Sequence, residues 1–315
     1  MKLKQRKIEI IDTTLITLWE NYRCSFKRNI NKIMELIKLV YIAGADYIEI
    51  TDELYRFMLK LPENVEFILD YYKSIEIKGV DELKENIMIF ENNKKIKRLR
   101  IIGLDDLILS DYEDILYEVI EKLEDRVELS ITDKYKCSTG IAVEWIRLGG
   151  KKIVTSFAGI AGNTPLEELL GSLRYIENIN IRGDFRVFKK ISKLYEEITC
   201  TSIPPTKPLI GTDIFNVESG IHVNGIIKNS KTFEPYNPEE VGGERKIIIG
   251  KHSGIKSLKI KLEELKIEYN SECLDAILIE VRNQSNSKGR GLNDDEIKAA
   301  CKRGESLCEK KCEYC

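Results

Sequence analysis

Apolar strand-length runs alternate with amphipathic helical runs through the first 180 residues, and the strands are rich in Ile and Val. That pattern predicts an α/β fold: a parallel sheet covered by helices. The leading architecture is a closed (β/α) barrel, with a doubly wound open sheet as the alternative. Six strands are clear and Ser74–Ile77 is a candidate seventh, against the standard eight, so the barrel is expected to be shortened by one or two βα units. The texture changes after about Arg182, where proline and glycine punctuate the chain, and a smaller, mainly helical region is expected to follow.

The elements follow in order. "KIEIIDTTL" is a strand ending on Asp12, and the next helix carries Ile30, Ile33, Met34, Ile37, Val40 and Tyr41 on one face. Gly44 stands where that helix should stop, and "YIEIT" follows as a buried strand. Then come "VEFILDYY", a lysine-rich helical stretch, "RLRIIGL", and a helix that Ser110 is expected to cap, with Ile115, Val119 and Leu123 beneath it. "RVELSIT", a helix reaching Leu148, and "KIVTSFA" complete the alternation. In "NTPLEELL" the spacing predicts Thr164 as cap, Pro165 at the first helical position and Glu167 closing a capping box. The expected segments are 1–180 for the barrel, 181–270 for a linker and subdomain, and 271–315 for a C-terminal segment with a cysteine-rich tail.

Composition narrows the function. Hydrophobic residues make up 43% and charged residues 32% of 315, an ordinary globular balance. The formal net charge of −2 gives no basis for nucleic acid or an anionic membrane as partner. No apolar run approaches the roughly 20 residues of a membrane span, and "MKLKQRKIEII" is a poor signal peptide. Eight cysteines without a secretory signal fit reduced thiols and a cytoplasmic location. With only His222 and His252 in the chain, a site built on two neighbouring histidines is excluded.

Taken singly the polar motifs are weak. "DTTL" fits a strand end whose hydroxyls cap the next turn, "GIHVNG" a turn with a surface histidine, and "GKHSG" a loop entering a helix. In order they are specific. "DTTL", "AGADYIEI", "AVEWIRLGGKKIVTSFAG", "AGNTPLEELL", "IPPTKPLIGTDIFNVESGIHVNGIIK", "TFEPYNPEEVGGERKIIIGKHSG" and "NDDEIKAACKR" together resemble the homocitrate synthase and isopropylmalate synthase family of acyltransferases, the nitrogen-fixation type of homocitrate synthase above all. The resemblance implies a condensation in which the methyl carbon of acetyl-CoA attacks the ketone of a 2-oxo acid such as 2-oxoglutarate, followed by thioester hydrolysis. It implies a divalent metal held by an Asp after the first strand and two His on a later strand, with an adjacent Arg stabilising charge on oxygen.

The departures fall on those positions. Ile16 stands for the Arg and Thr17 for the metal Asp, while Ser130 and Thr132 replace the paired histidines. A Gly-Glu-Arg triplet is missing between Gly159 and Asn163. Neutral hydroxyls cannot replace a carboxylate and two imidazoles, so the family's metal lacks its ligands here. Asp12, Asp52, Asp105, Asp106 and Asp133 near strand ends form an alternative acidic set. His222 matches a histidine that the family uses in proton transfer, and Glu218 is expected to orient it. Thr155, Ser156 and Asn163 match positions near the oxo-acid carboxylate. His252 is expected to anchor the second region.

The tail holds Cys301, Cys308, Cys312 and Cys315, whose thiols are candidates for zinc or an iron–sulfur cluster. The expectation is a family member with a degenerate metal site, working as a subunit in a homo- or hetero-oligomer with an intact paralogue. The alternatives are a non-catalytic protein binding a 2-oxo acid or CoA thioester, and a metal- or cluster-dependent enzyme of new specificity using the tail.

Overall fold

In the computed structural model, residues 7–70, 73–77, 80–93, 95–104, 107–218, 225–226, 228–229 and 233–312 are described. The chain forms two compact units: residues 1–212 with 240–242, and residues 213–239 with 243–315. The division falls after Thr212, not near Asn180. Residues 181–212 belong with the barrel because helix α9 (Phe188–Thr199) buries Phe188, Ile191, Leu194 and Ile198 and packs on α3 (Ile30–Ala43).

The first unit begins with β1 (Glu9–Asp12), α1 (Thr14–Asn21), α2 (Arg23–Arg28) and α3, then β2 (Tyr47–Ile50), α4 (Asp52–Met58), β3 (Phe67–Leu69) and β4 (Lys73–Ile77). It continues with α5 (Val80–Asn92), β5 (Leu99–Gly103), α6 (Tyr112–Leu123), β6 (Val127–Ile131), α7 (Ser138–Leu148), β7 (Lys152–Thr155) and α8 (Leu166–Gly171) before α9. All seven strands are parallel, in the order β3-β2-β1-β7-β6-β5-β4. The first strand pairs with the last, which is the circular order of a barrel; in a doubly wound sheet β4 would lie beside β1. Ser74–Ile77 does contribute a strand, so the count among the described residues is seven.

One link of the circle is missing. β3 and β4 are the two ends of the order, and only residues 70–72 separate them in the chain. A parallel pair needs a crossover of roughly a dozen residues or more, usually a helix, and none intervenes here. The seam is tied by a side chain: Arg98, just before β5, donates from Nη1 to the Leu69 carbonyl at 2.8 Å.

The barrel interior holds an ion cluster that the strand patterns half-conceal. Arg100 on β5 lies opposite Glu128 on β6 and bonds it through Nη2 at 2.8 Å, while Nη1 reaches Glu49 on β2 at 2.7 Å. Because β2 and β5 are not neighbours in the sheet, that second contact crosses the interior. All three side chains are buried, and Arg98 adds a further bond to Glu128 at 2.5 Å. Burial pushes Glu49 up. Glu128 is pushed up by burial too, but its hydrogen bonds and charge contacts with Arg98 and Arg100 leave it below the usual range.

Two local expectations are corrected. α6 starts at Tyr112 with Asp111 in the cap position, and no side-chain cap from Ser110 forms. The capping box at α8 does not form either: Pro165 precedes the helix, Thr164 donates its hydroxyl to Ile131 on β6, and Glu167 is fully buried. Tertiary partners outcompeted the local cap. Gly44 ends α3 at φ 136° as expected, and a Cβ there would lie 2.9 Å from the Arg182 carbonyl.

The second unit has a two-stranded parallel sheet, β8 (Asn216–Val217) with β9 (Lys246–Ile247), and helices α10 (Ile255–Glu264), α11 (Leu274–Lys288) and α12 (Asp294–Cys312). Its core gathers Ile249, Leu258, Leu262, Ile277, Val281 and Ile297. Gly304 allows α12 to approach α11, since a Cβ there would lie 2.5 Å from the Ile277 backbone.

Candidate functional site

Barrel strands deliver side chains at their C-terminal ends, and β1, β6 and β7 converge there on a hydroxyl-rich cluster. Asp12 ends β1 with Oδ1 accepting from the Thr14 N–H at 3.0 Å. Thr13 donates both its N–H and its hydroxyl to the Thr155 carbonyl, at 2.8 and 2.9 Å. Thr14 accepts from the Phe157 N–H at 2.7 Å. The segment after β7 then folds back over the strand ends, with Ala158, Gly159 and Ala161 all at positive φ (58°, 67° and 58°). It sets Asn163 opposite Thr132 in an antiparallel bridge and brings the Asn163 amide to 3.5 Å from the Thr13 hydroxyl.

The expected substrate-binding hydroxyls are therefore inside this fabric. Thr155 donates to the Ile11 carbonyl at 3.4 Å and Ser156 to the Ile160 carbonyl at 3.0 Å, and both are fully buried. Asn163 is half-buried.

Two carboxyl groups stand beneath the segment, and each has a buried oxygen without a hydrogen-bond partner: Asp12 Oδ2 and Glu167 Oε1. Glu167 Oε2 accepts from the Ala158 N–H at 2.9 Å, and Lys207 Nζ approaches Oε1 at 3.3 Å as an ion pair. Burial pushes Asp12 up to about 7, against the Thr14 hydrogen bonds and with help from the charges of Glu167 and Glu49. Burial likewise pushes Glu167 up to about 7, against the pull of Lys207. Burial works against the charge of Lys207, but Glu167 and Glu168 hold it above its usual range. Sequence reasoning had given Glu167 only a capping role; a carboxylate in "NTPLEELL" offers no local sign that it turns inward.

The positions that would hold the metal do not fit one. Thr17 lies on α1, and its hydroxyl donates to the Thr13 carbonyl at 2.9 Å. Around it Leu15, Leu18 and Trp19 are buried, so the stretch after β1 is a packed helix. Ser130 is buried on β6, and Thr132 offers one buried, unbonded hydroxyl. Among the described residues no group of three His, Cys, Asp or Glu side chains could hold a metal ion. In the alternative acidic set, Asp133 bonds Ser138 at the start of α7, Asp52 opens α4, and Asp105 and Asp106 lie outside the described residues.

In the second unit, Glu218 accepts from the His252 N–H at 3.1 Å, and its carbonyl accepts from the Ser253 hydroxyl at 3.3 Å. It thereby ties "ESG" to "GKHSG" and borders a cavity of about 350 Å³ lined also by Phe215, Asn216, Phe233 and Tyr236. The His252 residue is exposed. His222 lies outside the described residues, as does Cys315. Cys301 is buried in the helical core, Cys308 is half-buried, and Cys312 ends α12. No helix among the described residues is long and apolar enough to cross a membrane.

Comparison with known proteins meets this geometry. Residues 209–290 match the family described as homocitrate synthase post-HMGL domain-like. Over 92% of its length the chain is 32% identical to the homocitrate synthase omega subunit of Clostridium pasteurianum, covering 94% of that protein. The chain belongs to the homocitrate synthase family. Homocitrate synthase AksA of Methanothermobacter thermautotrophicus is 31% identical over 72% of the chain, and 2-isopropylmalate synthase 2 of Caldanaerobacter subterraneus 33% identical over 58%. The chain spans about half the length of these two, 56% and 49% respectively. Among solved structures, an HMG-CoA lyase of Bacillus subtilis aligns with a TM-score of 0.43 and 11% identity, over 64% of this chain and 96% of that one. Within the homocitrate synthase family this chain has a parallel sheet of seven strands among its described residues.

Proposed function

We propose that this chain is a subunit of a homocitrate-synthase-type acyltransferase and that it does not catalyse the condensation alone. The observation that carries the reading is the fate of the stretch after β1. Thr17, which the resemblance aligns with the family's metal carboxylate, bonds its own helix, and Leu15, Leu18 and Trp19 of that helix are buried. A neutral hydroxyl brings no charge to a hard divalent cation and is a weaker ligand than the carboxylate it replaces. The metal-dependent step then belongs to an intact paralogue. The name of the Clostridium pasteurianum relative, an omega subunit, supports a role as part of an assembly.

In that assembly the second unit is the contributing part. Glu218 and the "GKHSG" turn are hydrogen-bonded to each other, so Glu218, four residues before His222, is held to that turn. His222 is the imidazole this unit would bring to proton transfer at the site of the intact chain. The deciding experiment measures free CoA released from acetyl-CoA and 2-oxoglutarate with magnesium or manganese. The lone chain is expected to be silent, the mixture with the intact paralogue active, and the mixture carrying His222→Ala much slower. Release by the lone chain would refute the metal argument. Silence of the mixture would instead support the alternative of a binding protein for a 2-oxo acid or CoA thioester.

A further inference from the structure

The cysteine-rich end of the chain has no part in that reading, and its geometry differs from the grouping expected of the tail. α11 and α12 pack along each other and are joined by only a few residues, so they form a helical hairpin. Cys273 closes the 3₁₀ turn Ser271–Cys273 that leads into α11, and Cys308 lies in the last turns of α12. The hairpin therefore brings these two ends together. The junction is pinned twice: Glu305, one turn before Cys308, accepts from the Asn270 N–H at 2.8 Å, and Asn270 accepts from the Glu272 N–H at 3.0 Å. Cys273 belongs to the buried core of this unit and Cys308 packs against that core, so the two thiols lie in one neighbourhood. Cys273 is 2% exposed, whereas Cys308 is half-buried and reachable from solvent. Cys301, two turns earlier on α12, is 1% exposed within the core.

We infer that Cys273 and Cys308 are a redox couple that closes to an intramolecular disulfide on meeting a small-molecule disulfide such as oxidised glutathione. The Cys308 thiolate attacks one sulfur of the small disulfide, breaking its S–S bond and releasing one small thiol. Cys273 then gives up its proton and attacks the Cys308 sulfur, expelling the second small thiol. Two protein thiols and one small disulfide become one protein disulfide and two small thiols, so electrons and protons balance. The asymmetry of the pair sets the order of events. Cys273 is pushed up to about 12, first by its hydrogen bond to Cys308 and then by burial, and is a poor nucleophile while Cys308 is reduced. Capping the Cys308 sulfur removes that hydrogen bond and prepares Cys273 for the second step.

The test exposes the full chain to oxidised glutathione, quenches with an alkylating agent and maps peptides without reduction. The expected wild-type product links Cys273 to Cys308, with loss of two alkylatable thiols. Cys273→Ser should leave Cys308 as a persistent mixed disulfide with glutathione, because the second attack is gone. Cys308→Ser should leave Cys273 reduced, and Cys301→Ser should not change the linkage. A persistent mixed disulfide on Cys308 in the wild type, or a bridge from Cys308 to another cysteine, would overturn the assignment. So would stoichiometric zinc in the isolated chain that is lost in Cys308→Ser.

Discussion

Replacing Arg100 by Met removes the side chain that bonds both Glu49 and Glu128 across the barrel interior. The structure sets the scale of the loss. The guanidinium makes three hydrogen bonds, at 2.7, 2.8 and 3.2 Å, and all three side chains are buried. Met has a similar stem, so the cavity contribution is small and the main effect is two carboxylates left in a low-dielectric interior. Glu128 keeps Arg98, but Glu49 loses the guanidinium bonded to its Oε2, and its Oε1 is unbonded already. Breaking a buried pair from one side costs about 3–5 kcal/mol. For a unit of this size that corresponds to a fall in Tm of roughly 6–20 °C. Both tryptophans, Trp19 and Trp145, are buried in the barrel unit, so indole fluorescence follows its unfolding without reporting on the helical unit. Thermal and urea unfolding of Arg100→Met should show this loss, and adding Glu49→Gln should recover part of it, because the unpaired charge is then removed. A loss below about 1 kcal/mol, or no coupling between the two substitutions, would refute the account of the interior as a charge cluster centred on Arg100.

Two further outcomes follow from the site. Asp12 and Glu167 keep their protons up to about 7 when folded but release them near 4 when unfolded, so the folded state binds more protons between these values. Stability should fall as pH rises from about 4 to about 7 and level off above, by about tenfold in the folding constant per pH unit for each proton. Asp12→Asn removes one of these protons and should flatten the slope by that factor and stabilise the chain at pH 8; an unchanged fluorescence-monitored pH profile would contradict the assignment. Gly150→Ala places a Cβ about 2.1 Å from the Trp145 indole and should cost about 1–3 kcal/mol with a shifted emission maximum. A wild-type spectrum and stability would show that the indole moves aside freely.

The alternating strand and helix periodicities and the position of Gly44 were legible in the sequence, because each is a matter of local residue type and spacing. Two strands carried an additional trace of the interior: a single charge amid apolar neighbours in "YIEI" and in "VELSI". What those charges face was not legible, since Arg100 meets Glu49 only after the barrel has curved round and brought non-neighbouring strands together. The same holds for Glu167, which reads as a helix cap and turns inward to the Ala158 N–H, and for Thr164, which leaves its cap to bond β6. Local hydrogen-bonding rules describe what a side chain can reach within its own turn; a buried backbone donor elsewhere in the fold can offer a drier and stronger partner. The unpaired seam between β3 and β4 and the meeting of Cys273 with Cys308 are decisions of the same kind. The sequence by itself determined which elements form, whereas only the tertiary structure decided which distant groups share a low-dielectric space, because that depends on chain closure over many residues and not on any local pattern.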